Sequence, residues 1–393
     1  RWRGGRIEPV VEMAAEFGLP QWVFGMSTYA FASPRHMVCA FNERGLWQLA
    51  TVDTTTRQLT RMATPYSDIG GLRATAGRTA FIGGAAGEAA SVVTFDPDSG
   101  QMEVLRRSSK VDIDAGYISF PERITFPTTQ GKTAYGIYYA PHNRDYPAPG
   151  DMRPPLIVEC HGGPTAAAST TLNLKRQYWT SRGFAVVSVN YAGSTGYGRA
   201  YRQRLNGRWG IADVGDCLAA ARYLIDQGKA DEKRLAISGG SAGGYTVLCA
   251  LTFHHLFKAG ASYYGISDLE ALARDTHKFE SRYLDHLVGP YPQRRELYRQ
   301  RSPIHFAERL SCPVIFFQGL EDHVVPPSQT ERMVAALRAN GIPVAYLAFA
   351  GEQHGFRQAA NIKAALDAEL YFYSRVFGFE LADSIAPITI ENL

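Results

Sequence analysis

The sequence predicts a doubly wound α/β domain, with a mostly parallel sheet covered by helices on both faces, preceded by an all-β segment. Three observations predict it. Short β-type segments without helical periodicity fill roughly the first 110 residues, apolar strands alternate with amphipathic helices from about residue 121, and Gly239-Gly-Ser-Ala-Gly243 lies between a strand and a helix. The expected division is 1–115 for the β segment and 116–393 for the α/β domain.

A chain of 393 residues is long enough for two cores. Apolar residues at 45% and charged residues at 20% give the balance of a globular protein, and no apolar run approaches the roughly 18 residues that cross a bilayer, so no membrane partner is expected. A formal charge of +4, without a basic cluster interleaved with aromatics, argues against a nucleic-acid partner. The five cysteines, Cys39, Cys160, Cys217, Cys249 and Cys312, are scattered singly and mostly in apolar segments. That pattern reads as buried free thiols rather than disulfides or a zinc site, and fits a reducing, cytoplasmic setting. No secretory signal opens the chain and its first residue is not methionine, which implies a processed start or a longer protein that has been cut.

In the β segment, strands are expected at Met37 to Phe41, Trp47 to Val52, Thr79 to Ile82 and Ser91 to Phe95. Leu49-Ala-Thr-Val-Asp-Thr-Thr-Thr-Arg-Gln-Leu can be laid over Val92-Val-Thr-Phe-Asp-Pro-Asp-Ser-Gly-Gln-Met, a shift of about 43 residues that matches one propeller blade. Two blades cannot close a ring that takes about four to eight, so the reading is a partial β-propeller from a larger protein. A small β-domain with a chance hairpin likeness is the alternative.

In the α/β part, strands are expected at Thr133 to Ala140, Pro155 to Cys160, Phe184 to Asn190, Arg234 to Ser238, Ala259 to Tyr264, Pro313 to Gln318 and Val344 to Phe349. A helix over Val214 to Gln227 should begin behind Asp213, and Ser328-Gln-Thr-Glu331 reads as a capping box opening a helix over Gln329 to Ala339.

Gly239-Gly-Ser241-Ala-Gly243, between Leu235-Ala-Ile-Ser and the apolar Tyr245 to Leu251, has the strand, sharp turn and helix context of a nucleophile elbow. Glycines permit a strained turn that projects the serine hydroxyl outward. A hydroxyl is a weak nucleophile at neutral pH, so it needs a base beside it and a carboxylate to orient that base, in the chain order Ser, acid, His of an α/β-hydrolase fold. Asp322 follows the strand Pro313 to Gln318, with Glu321 as its rival; His354 follows the strand Val344 to Phe349 beside a glycine, with His323 as its rival. His161-Gly-Gly-Pro164 follows an early strand, which makes the backbone N–H groups of Gly163 and Ala242 the expected oxyanion donors.

With these residues in hand the chain resembles the prolyl oligopeptidase family of serine peptidases, in its acylaminoacyl-peptidase and dipeptidyl-aminopeptidase-like branch. The resemblance runs through His161-Gly-Gly-Pro, Asn190-Tyr-Ala-Gly-Ser-Thr-Gly-Tyr-Gly198, Trp209-Gly-Ile-Ala-Asp-Val-Gly-Asp216, Gly239-Gly-Ser-Ala-Gly-Gly, Asp322-His-Val-Val-Pro and His354-Gly-Phe, nearly all of residues 121–380. Ala192 departs from the arginine frequent in this branch. The resemblance implies a β-propeller over the active site and a pocket for the residue before the scissile bond formed near Ile266, Leu269, Tyr283 and Val325, apolar in character. It implies a peptidase that cleaves short peptides or acyl- and aminoacyl-amides through an acyl-enzyme, with a small peptide or acyl-amide as partner and no metal or organic cofactor. An esterase or thioesterase on the same fold is the alternative, and a homo-oligomer stays open.

Overall fold

The computed structural model describes residues 1–20, 24–75, 77–147, 149–150, 152–276, 278, 280–310 and 312–393. The chain divides into two compact units. The first comprises Arg1–Pro121, Ser169–Leu174 and Ser194–Arg202; the second comprises Glu122–Ala168, Lys175–Gly193 and Gln203–Leu393.

The first unit holds two four-stranded antiparallel sheets, each in plain meander order. One is built of β1 (Tyr29–Phe31), β2 (His36–Glu43), β3 (Leu46–Asp53) and β4 (Leu59–Met62). The other is built of β5 (Asp68–Thr75), β6 (Arg78–Ala85), β7 (Glu88–Phe95) and β8 (Met102–Arg107). These are two propeller blades. Period-two alternation divides β2 between two apolar layers: Val38 and Ala40 join Ile69, Phe81 and Val93 of the second blade, whereas Cys39 and Phe41 face the opposite side with Ala50 and Val52. The 43-residue repeat covers the third strand of each blade and the turn after it. In both turns the aspartate at the strand end binds the loop: Asp53 Oδ1 accepts the N–H groups of Thr55 and Thr56 at 2.8 and 3.0 Å, and Asp96 Oδ1 accepts those of Asp98 and Ser99 at 2.8 and 3.3 Å. The residue four further on is left-handed in each, Arg57 at φ 62° and Gly100 at φ 72°.

The second unit is an α/β-hydrolase domain around one eight-stranded sheet. Its strands are β9 (Glu122–Pro127), β10 (Thr133–Tyr139), β11 (Leu156–Cys160), β12 (Ala185–Asn190), β13 (Leu235–Gly240), β14 (Ala259–Tyr263), β15 (Val314–Gly319) and β16 (Val344–Phe349). Their spatial order is β9-β10-β12-β11-β13-β14-β15-β16, antiparallel at the first two pairings and parallel from there on. Both faces are buried, as a parallel sheet requires. One apolar layer packs the sheet against α1 (Ala212–Asp226), α2 (Ala242–Phe253), α3 (Leu269–Asp275) and α4 (Pro327–Ala339); the other packs it against α5 (Ala359–Phe377) and Trp179. At the β16 edge, Val344 and Glu391 exchange two backbone hydrogen bonds of 3.0 and 2.9 Å.

Two helix starts differ from expectation. Asp213 is the second residue of α1 rather than its cap; the cap is Ile211, and the Asp213 carboxylate instead accepts the N–H of Gly210 at 2.7 Å. The box at Ser328 to Glu331 does not form, because α4 opens two residues before Gln329 with Pro327 as its first residue and no side-chain cap bond. Proline's fixed φ and missing donor suit it to that first position. Among the described residues no helix is long and apolar enough to cross a membrane.

Candidate active site

The C-terminal ends of β13, β15 and β16 carry three polar side chains into contact. Ser241 follows β13 with φ 56° and ψ −120°, a conformation that side chains rarely adopt, fixed on one side by its N–H donating to Tyr263 O at 2.9 Å and on the other by helix α2. The neighbouring glycines are required by space. A Cβ on Gly239 would lie 2.7 Å from the Gly243 carbonyl carbon and 2.9 Å from the Cys160 carbonyl oxygen, and one on Gly240 would lie 3.0 Å from the Tyr264 ring.

The Ser241 hydroxyl meets His354 Nε2 at 2.8 Å, and His354 Nδ1 meets Asp322 Oδ2 at 2.8 Å. Asp322 is 2% exposed. Its other oxygen, Oδ1, accepts the backbone N–H groups of Val324 and Val325 at 2.8 and 2.9 Å, so the carboxylate cannot swing away from the imidazole. The rivals Glu321 and His323 are both exposed.

The His161-Gly-Gly-Pro loop abuts this group. A side chain on Gly162 would come within 3.2 Å of Gly240 O and 3.5 Å of Ser241 Cβ, and Gly163 is left-handed at φ 47°. Ala242 is the first residue of α2, so its N–H is among those a helix cannot satisfy internally. The His161 ring lies flat on Tyr191, with centroids 4.2 Å apart, and its Nδ1 donates to Gly162 O at 2.9 Å. Burial pushes its pKa down to about 4, so this ring is neutral near pH 7 and braces the loop.

Of the four residues expected at the substrate pocket, Leu269, Val325 and Ile266 are 0, 1 and 4% exposed and belong to the apolar layer under the sheet. They pack as core side chains, Leu269 as the first residue of α3. Tyr283 alone keeps free surface, and its hydroxyl shares a hydrogen bond of 2.7 Å with Thr165, next to Pro164 of the glycine loop.

Sequence reading passed over Gln318, Glu352 and Tyr264. Gln318, buried, donates to the carbonyls of Gly319 and Val325 at 3.1 and 3.2 Å and holds the acid loop closed. Its signal was one amide side chain ending an otherwise apolar strand. Glu352 accepts the N–H groups of Arg357 and Gln358, both at 2.9 Å, and so ties the His354 loop to the start of α5. Tyr264, at φ 39°, sets its ring 4.8 Å from that of His354.

A mostly parallel sheet of this order, with a serine on a strained turn in contact with a histidine and an aspartate on later strand ends, is the arrangement of the α/β-hydrolase fold. Residues 170–380 match the model of the prolyl oligopeptidase family, more than half of the chain, and the chain belongs to that family. It is similar to a puromycin-hydrolyzing peptidase of Mycobacterium tuberculosis, 42% identical with a TM-score of 0.96 over 99% of this chain and 59% of that one. It is also similar to dipeptidyl aminopeptidase BIII of Pseudoxanthomonas mexicana, 31% identical over 61% of this chain and 36% of that protein. The acylamino-acid-releasing enzyme of Arabidopsis thaliana is 30% identical over 56% of this chain and 30% of that protein. The chain thus spans about a third of the length of the curated relatives it matches.

Proposed function

We propose that the chain carries the catalytic apparatus of a serine peptidase that hydrolyses short peptides or acyl- and aminoacyl-amides. The observation that supports this most directly is the unbroken line of two 2.8 Å hydrogen bonds from Ser241 through His354 to Asp322. In the proposed reaction Ser241 Oγ attacks the amide carbonyl while His354 Nε2 takes its proton. The negative charge that develops on the carbonyl oxygen is held by the N–H groups of Gly163 and Ala242. His354 then returns the proton to the departing amine, and water cleaves the acyl-enzyme by the same route in reverse. Asp322, pinned by two backbone donors, keeps Nδ1 protonated and stabilises the imidazolium. The Tyr283 phenol, which burial raises to about 12, stays neutral and is hydrogen-bonded to Thr165 beside the glycine loop.

An aminoacyl amide is the preferred first substrate, given the likeness to a puromycin-hydrolyzing peptidase. Five cysteines without disulfides fit a reducing compartment such as the cytoplasm. The test compares an aminoacyl anilide, puromycin and a nitrophenyl ester on the wild type and on Ser241→Ala. Amide cleavage that falls by about 10⁶-fold in the variant supports the reading. Ester cleavage alone in the wild type transfers it to an esterase, and amide cleavage retained by the variant refutes it.

A further inference from the structure

A second concave site lies within the α/β unit, on the α5 side of the sheet. Its volume is about 270 Å³, and Gly240 and Tyr264 are part of its lining. Two opposite charges face it. Glu159 uses one oxygen, Oε2, to accept Arg176 Nε at 2.8 Å and the Ser188 hydroxyl, while Oε1 accepts no hydrogen bond among the described residues. Burial opposes the charge on this carboxylate, but Arg176 and the Ser188 hydroxyl more than offset it and bring its pKa down to about 2, so it is anionic at any physiological pH. Lys175 sits with Nζ 4.0 Å over the Tyr263 ring and 3.7 Å from Glu369, its side chain still 35% exposed. Phe356, Ile362 and Leu366 supply apolar wall, and Ser238 lines the cavity as well.

We propose that this cavity binds a free α-amino acid with an apolar side chain. The ammonium group meets Glu159 Oε1, the carboxylate meets Lys175, and the side chain lies against Phe356 and Leu366. A fatty acid would bring its carboxylate against Glu159, and a simple amine would meet Lys175; only a ligand with both charges on one small frame satisfies both ends. The volume of about 270 Å³ accommodates a single residue of the size of leucine or phenylalanine. The occupant would rest on Tyr264, whose ring packs against His354, so it would stand directly behind the serine turn without entering the reaction site.

Calorimetric titration with L-phenylalanine, N-acetyl-L-phenylalanine and L-phenylalaninamide tests this on the wild type, Lys175→Met and Ile362→Trp, with a melting curve for each variant. Saturable binding of phenylalanine is expected, with each capped analogue about 10-fold or more weaker, because losing one charge-assisted contact typically costs that much. Lys175→Met should weaken phenylalanine by a similar factor and leave phenylalaninamide unchanged. Ile362→Trp, at a half-exposed position on the wall, should abolish binding of all three. Absence of saturation by phenylalanine at millimolar concentration, equal binding of the capped analogues, or undiminished binding to a folded Ile362→Trp protein would each overturn the assignment. Should Ile362→Trp unfold, the contrast between phenylalanine and its amide in Lys175→Met decides alone.

Discussion

Asp213 and Thr246 join α1 and α2, two of the helices on one face of the sheet: the Thr246 hydroxyl donates to Asp213 Oδ2 at 2.6 Å, in a site with no solvent contact. Thr246 lies one turn into the helix that follows Ser241, so this bond anchors the serine turn from behind.

Burial raises the Asp213 pKa from 3.8 to about 6, against the opposing bonds from Thr246 and Gly210. Between those two values the folded chain holds a proton that the unfolded chain has lost, so wild-type stability falls as pH rises from about 4 to 6. Above that the loss stays, up to about 3 kcal/mol. Asp213→Asn removes the titration. In urea unfolding, the stability of the variant relative to wild type should climb across that window and then level; parallel profiles would exclude Asp213 as the source.

Asp322→Asn keeps an oxygen for the N–H groups of Val324 and Val325 but turns a donor toward His354 Nδ1. The histidine is then held in the wrong tautomer, and kcat on an aminoacyl anilide should fall by about 10⁴-fold with little change in melting. A loss of less than tenfold would remove Asp322 from the orienting role.

Gly239→Ala drives a Cβ into two backbone groups, Gly243 C at 2.7 Å and Cys160 O at 2.9 Å, neither of which can rotate away. Overpacking of this kind costs about 1–3 kcal/mol. Because the strain falls on the serine turn itself, activity in the folded fraction should drop as well, measured by active-site titration alongside thermal unfolding. Wild-type stability and activity together would show that the turn yields.

Arg57→Gly tests the blade turn. The left-handed conformation costs a non-glycine residue about 1–2 kcal/mol, whereas the pair of Arg57 with Glu8, at 3.1 Å, is solvent-screened and contributes little. The balance favours glycine, which already stands at the matching position 100. A slightly higher melting temperature is expected, and a lower one would mean that the ion pair outweighs the strain.

Much of this architecture is legible in the sequence because its signals are local. The seven α/β strands expected from apolar runs are found with ends shifted by no more than about two residues, since a two-sided parallel sheet needs continuous apolar segments. The blade repeat was visible because Asp53 and Asp96 perform the same turn. The serine turn was visible because its glycines have no steric substitute. Other features depend on contacts between distant residues. Asp213 looks like a helix cap from its neighbours alone, yet the left-handed Gly210 before it, at φ 82°, bends the chain so that the carboxylate serves the loop and Thr246 instead. The double proline at 326–327 outranks Ser328 as a helix start, a signal present in the sequence but masked by the more familiar box. Ile266, Leu269 and Val325 have the apolar character of a pocket, and nothing in the order of residues separates that from the character of a core.

The conformation of Ser241 has a consequence for how the protein is maintained. A serine held at φ 56° and ψ −120° is a standing liability to the folded state, of about 1–3 kcal/mol, that glycine at the same place would largely relieve. The Ser241→Gly protein, inert under the proposed mechanism, should therefore outlast the wild type on heating, which makes the proposed nucleophile a residue that selection for durability alone would discard.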